Sequence, residues 1–100
     1  MYFIVYVLRS LKDNNFYTGF TADLKKRLTE HNEGITKSTK CRRPFELIYY
    51  EACRNRKDAL HREKYLKTTY GKRYIRNRLT HDLFNKNNVN ESENISQGGG

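Results

Sequence analysis

One hundred residues with 36% hydrophobic and 13% aromatic side chains make one small domain with a core of a couple of layers, which excludes a wholly disordered chain. Twenty Lys and Arg against eleven Asp and Glu leave a net charge of +9 and a pI near 9.7. That excess points to a polyanionic partner, nucleic acid first, with a merely solubilising surface as the alternative.

Cys41 and Cys53 form neither a CxxC pair nor, with the three histidines, a metal-ligand set, so reduced thiols in a cytoplasmic protein are expected. The apolar run Tyr2 to Leu8 is too short to span a membrane. It also lacks the basic start and small-residue cleavage site of a signal peptide, so no membrane partner is expected.

In chain order, Tyr2 to Arg9 is rich in β-branched and aromatic residues and predicts a strand. Leu11 to Asn15 supplies turn chemistry, and Phe16 to Phe20 reads as the return strand of a hairpin. Thr21 is the expected N-cap of a helix running to about Asn32, with Asp23 in its first turn and Gly34 just past its end. A polar basic loop, Ile35 to Arg43, leads through Pro44 into Phe45 to Ala52, the most apolar stretch and the third strand. Asn55 and Asp58 resemble a capping box opening a helix through roughly Thr68. Gly71 is expected to break the pattern before a third helix carrying Tyr74, Ile75, Arg78 and Leu79. From Asn85 on there are five asparagines, few apolar residues and a final triple glycine. The expected organisation is a domain over residues 1–82 and a disordered tail over 83–100. The fold class is α/β, a small three-stranded sheet flanked by helices in the order ββαβαα.

Register parity links the first two candidate residues. An even-length loop in the hairpin gives an odd register sum, and Tyr6 and Tyr17 also sum to an odd number. Both would then face the same side, either packing across strands or presenting hydroxyls to a ligand. On the first helix Leu24 and Leu28 mark the buried seam. Arg27 and His31 flank that seam while Lys25 and Lys26 point away. Such an arginine can fork onto a phosphate, snorkel or close an ion pair, and such a histidine can relay a proton near neutral pH. On the second helix Ala59, Glu63, Leu66 and Tyr70 fall on one stripe. A carboxylate there calls for either an ion pair, with Arg27 for example, or a hard divalent cation. Lys37, Lys40, Arg42 and Arg43 line the loop before the third strand, and residues 54–78 hold ten Lys and Arg against two acids. Such residues grip phosphates without reading sequence.

Val5-Tyr6-Val7 followed by Tyr17-Thr18-Gly19 resembles the two half-motifs that name the GIY-YIG nucleases. Thr18-Gly19-Phe20-Thr21, Asp23-Leu24, Arg27-Leu28, Glu30-His31-Asn32 and Arg43-Pro44-Phe45-Glu46-Leu47 continue the pattern. Ala59-Leu60, Arg62-Glu63 and Leu66-Lys67 match the helix that bears the family's metal-binding glutamate. The resemblance covers about residues 2–80 and is to small standalone members, similar to the N-terminal nuclease domain of the bacterial excision-repair nuclease. It implies an endonuclease hydrolysing DNA phosphodiester bonds with one Mg²⁺ or Mn²⁺ at Glu63, in repair or recombination. It also implies Tyr6 as base, Tyr17 in positioning, Arg27 stabilising charge on the phosphate, and His31 as proton relay. A Tyr6 base needs neighbouring positive charge to lower its pKa. Phe20 and Ile75 depart from the pattern, standing where some members carry lysine and asparagine. The rival reading is a nucleic-acid-binding module, or an accessory protein working beside a partner, with the same fold and little or no chemistry.

Overall fold

The computed structural model describes residues 1–87. Strands β1 (Phe3–Ser10) and β2 (Phe16–Thr21) are followed by helix α1 (Leu24–Glu33), a 3-10 turn at Lys40–Arg42 and strand β3 (Phe45–Cys53). Helices α2 (Arg56–Leu66), α3 (Thr69–Arg78) and α4 (Thr80–Asn87) complete the chain order, one helix more than expected. The strands form one antiparallel sheet in the order β2-β1-β3.

The hairpin fixes everything that follows. Ser10 N–H donates to Asn15 O at 3.0 Å and Asn14 N–H to Ser10 O at 2.8 Å, closing a four-residue loop. Asn14 takes φ 62°, a left-handed conformation that asparagine tolerates better than most residues. The even loop gives the odd register sum: Tyr6 lies opposite Gly19 and Leu8 opposite Tyr17. Tyr6 and Tyr17 therefore share a face. On the other side of β1 the pairing skips Ile48, since Val7 faces Tyr49 and Leu8 faces Leu47. This bulge lets Phe45 and Leu47 join the Tyr6 face while Ile48 and Tyr49 join the opposite one.

The central strand is buried on both sides. Val5 and Val7 pack with Ala59 and Leu66 of α2 and Ile75 of α3. Tyr6 and Leu8 pack with Phe45, flanked by Leu24 and Leu28 of α1. The sheet is thus the middle of three layers, with α1 on one face and α2 and α3 on the other.

Local details differ from expectation for identifiable reasons. The N-cap of α1 is Asp23, whose Oδ1 accepts from Lys26 N–H at 3.1 Å, while Thr21 Oγ1 accepts from Asp23 N–H at 3.0 Å, one step earlier. Gly34, at φ 79°, closes α1 as expected. Asn55 caps α2 by accepting from Lys57 N–H at 2.8 Å. Thr68 does not end α2; its hydroxyl accepts from Gly71 N–H at 3.1 Å and caps α3. Gly71 is no breaker. It lies in the first turn of α3, where a β-carbon would collide with the backbone of Tyr65 and Leu66, so its bareness lets α3 pack on the end of α2. Tyr70 consequently leaves the α2 stripe and is 71% exposed. Helix α4 runs across the expected boundary between residues 82 and 83, and the expected tail beyond residue 87 lies outside the described residues. No helix among the described residues is long and apolar enough to cross a membrane.

Candidate active site

Tyr6 crosses Gly19, its register partner on the edge strand. A β-carbon at Gly19 would collide with the tyrosine ring and hydroxyl, so only glycine leaves this passage open. The hydroxyl meets His31 Nε2 at 2.8 Å, and His31 Nδ1 meets Thr39 Oγ1 at 2.8 Å. Thr39 spends its one hydroxyl proton on Thr36 O at 3.3 Å, so it must accept from His31 Nδ1–H. That leaves the Nε2 lone pair to accept from Tyr6 O–H, and the network sets the tautomer. Tyr6, His31 and Thr39 are essentially sealed from solvent. The rings of Tyr17 and Phe45 stand edge-on to the imidazole at 5.0 and 6.1 Å.

Arg27 lies one turn before His31 on α1, forms an ion pair with Glu30 at 3.2 Å and acts electrostatically on Tyr6. Burial pushes the Tyr6 hydroxyl above its ordinary pKa; Arg27 opposes this, and Tyr17 and Glu63 add to it. The expected lowering by nearby positive charge is therefore overturned, because desolvation outweighs the guanidinium. Burial, then the charge of Arg27, pushes His31 below its ordinary value, which leaves it neutral at pH 7. The Arg27 pKa is raised, chiefly by Tyr6, so the guanidinium stays charged.

Glu63 comes from α2, across the sheet, yet its carboxylate bears electrostatically on Tyr6. Its ion-pair partner is Lys67, at 3.2 Å, and not Arg27. The Glu63 side chain keeps 19% exposure and that of Lys67 keeps 55%, so the pair sits at the rim of the site. Among the described residues no group of three or more His, Cys, Asp or Glu gathers into a ligand cage. A single rim carboxylate fits a hard ion such as Mg²⁺, which retains waters and takes further oxygens from a substrate phosphate. It does not fit a structural zinc site.

Tyr6, Tyr17, Arg27 and His31 thus gather on the α1 face, but not on an open concavity: the Tyr6–His31 pair is sealed, Tyr17 and Arg27 are half-buried, and Glu63, on α2, is linked to them through the effect of its charge on Tyr6. Thr39 had no signal in the sequence, being one threonine in a polar loop. The basic set divides. Lys37 and Lys40 are exposed. Arg43, also exposed, donates to Lys40 O at 2.9 Å. Arg42 is committed to the hairpin, donating to Asp13 Oδ2 at 3.0 Å and lying 5.6 Å over the Phe45 ring. That guanidinium holds the Asp13 carboxyl below its usual range. Of the two departures, Phe20 stacks on Phe3 at 6.0 Å and Ile75 is buried in the core, so neither offers a polar group.

The chain is 47% identical over 57 residues to the UPF0213 protein YazA of Bacillus subtilis, a stretch covering 56% of this chain and 58% of that protein. The chain therefore spans less than two thirds of that relative. It is 44% identical over 64 residues to a UPF0213 protein of Clostridium perfringens, covering 63% and 68% of the two chains. A UPF0213 protein of Bacillus halodurans, solved in solution by NMR, is 32% identical, with a TM-score of 0.48 over 75% of this chain and 82% of that one. The family model described as the GIY-YIG catalytic domain matches residues 2–78, from the start of β1 to the end of α3. By that match, which takes in the whole sheet and every residue of the site, the chain belongs to the GIY-YIG family of nuclease domains.

Proposed function

We propose that this chain is a divalent-metal-dependent endonuclease that hydrolyses DNA phosphodiester bonds in the cytoplasm, acting on particular DNA structures in repair or recombination. One observation carries the reading: a sealed Tyr6–His31–Thr39 hydrogen-bond chain whose tyrosine feels the charges of Arg27 and Glu63. Glu63 would hold Mg²⁺ or Mn²⁺, which when bound supplies Lewis acidity toward the phosphate and lowers the pKa of water. The protein's own groups do the rest. Tyr6 accepts a proton from the attacking water and passes its own to the lone pair of His31 Nε2. Thr39 holds the tautomer that makes this possible. Arg27 neutralises charge growing on the phosphate, and Tyr17 fixes the imidazole ring and the approach to it. At rest Tyr6 holds its proton firmly, because burial, then Tyr17 and the Glu63 carboxylate, favour the neutral phenol. Neutralising that carboxylate removes one of these restraints. A binding module or accessory protein would need the basic surface but has no use for a sealed tyrosine–histidine relay.

Glu63→Gln tests this. Nicking of supercoiled plasmid in Mg²⁺, and again in Mn²⁺, should fall by several orders of magnitude, with DNA binding in EDTA retained. Stability should change by no more than about 1 kcal/mol, as for a surface ion pair. Undiminished nicking in either metal would sink the proposal.

A further inference from the structure

Arg9, Arg27, Arg42, Arg62 and Lys67 each lie within 3.2 Å of a carboxylate. Arg56, Arg73 and Arg76 have no such partner among the described residues and lie over rings instead. Arg73 is 5.8 Å from the centroid of Tyr70, on its own helix, whereas Arg56 and Arg76 reach across to β2, 5.5 Å from the Phe20 centroid and 5.1 Å from that of Phe16. A guanidinium on a ring is held in place by packing and keeps its N–H groups for another acceptor.

Their placement is not scattered. Phe16 and Phe20 are four residues apart on β2, so both rings stand on its α2/α3 face, roughly 13 Å apart along the strand. Strand β2 is an edge of the sheet, paired on one side only. Between the two phenylalanines lies Gly19, over which Tyr6 passes from the other face. On α2, Arg56, Leu60, Glu63 and Lys67 succeed one another by four, three and four residues, so Arg56 shares a helix face with Glu63, roughly 10 Å away. Two exposed guanidiniums without a carboxylate partner among the described residues therefore bracket the edge strand over whose Gly19 the Tyr6 ring passes.

The geometry points to Arg56 and Arg76 as a two-point clamp on one DNA strand, binding phosphates on either side of the one to be cut. The clamp rests on the endonuclease reading for its substrate and goes beyond it in fixing the path of the strand along the β2 edge. It assigns the grip to two residues outside the Lys37–Arg43 loop.

The test is the salt dependence of binding to a fluorescein-labelled DNA duplex in EDTA. The full chain is compared with Arg56→Met, Arg76→Met and the double variant, since methionine keeps an apolar stem over each ring without the charge. Melting curves establish that each variant is folded. Each phosphate contact adds about 0.9 to the slope of log K against log salt on duplex DNA. Each single variant should lose about 0.9 and the double about 1.8. Arg56→Lys and Arg76→Lys should restore most of the slope. Lys25→Ala, at an exposed lysine of α1 on the other side of the sheet, should leave it unchanged. Unaltered slopes in both methionine variants, or an equal loss in Lys25→Ala, would overturn the clamp in favour of diffuse charge. Nicking by the wild-type chain, measured separately in Mg²⁺, bears on the endonuclease reading alone.

Discussion

The two faces of β1 are built from neighbouring residues and could hardly differ more. Val5 and Val7 look into an apolar layer with Ala59, Leu66 and Ile75. Tyr6, between them, looks into a layer holding a sealed imidazole and two hydroxyl partners. Polar groups in the second layer are satisfied one by one, and no buried side-chain nitrogen or oxygen among the described residues lacks a partner. The apolar face supplies stability through packing that tolerates no void. The polar face is stable only as a complete chain, since each member removed strands the next. A two-residue period on one strand thus divides the domain into a support and a site.

That division can be broken by experiment, and the largest expected effect falls on the polar face. Tyr6→Phe should slow nicking by about 10²–10⁴-fold. The cost in unfolding free energy should be only about 1–3 kcal/mol, because Nε2 of His31 loses its donor. A stability loss with unchanged nicking would mean that the polar face is scaffold too. Ile75→Ala should do the reverse. Denaturant unfolding should show a loss of about 2–5 kcal/mol, while nicking per folded molecule stays at the wild-type level.

A subtler effect follows from His31. Its pKa is depressed in the fold, chiefly by burial, so the unfolded chain binds the proton more readily. The stabilisation is complete above the ordinary value of 6.5 and is lost as pH falls through the lower folded value. Melting temperatures taken from pH 8 to 5 should decline on the acid side, and His31→Gln should flatten that part of the decline. If the two chains fall in parallel, His31 is not the titrating group. The smallest effect belongs to the rim: Lys67→Ala should alter stability by less than about 1 kcal/mol, since its ammonium is largely in water. A larger loss would show Glu63 to be held for structural reasons.

What can be read from the sequence is whatever depends on period and parity. Given an even-length loop between the first two strands, the positions of two tyrosines place Tyr6 and Tyr17 on one face, and the register supplies that even loop. Helix spacing brings His31 to the core edge, but not inside it, because its enclosure depends on Thr39 and Phe45, distant in the chain. The same limit explains the caps. Thr21 and Asp23 are both good capping residues, and which one serves is decided by the bond Thr21 makes to Asp23 itself. Gly71 reads as punctuation because composition cannot distinguish a glycine that ends a helix from one that lets two helices touch. Partner choice is equally illegible: Glu63 and Arg27 are plausible mates by charge, yet each takes a partner within four residues on its own helix.

The hairpin loop has a consequence for how such a domain can vary. Four residues, Leu11 to Asn14, separate Ser10 from Asn15, and every side chain of β2 takes its direction from that count. Inserting or deleting one residue without a compensating bulge would turn β2 over: Tyr17 and Gly19 would leave the Tyr6 face, and Phe16 and Phe20 would be driven against it. Changes of two residues keep the directions and alter only the reach of the turn. Length drift at this turn should therefore proceed in even steps, and a library of random insertions there, selected for folded protein, should return almost none of odd length.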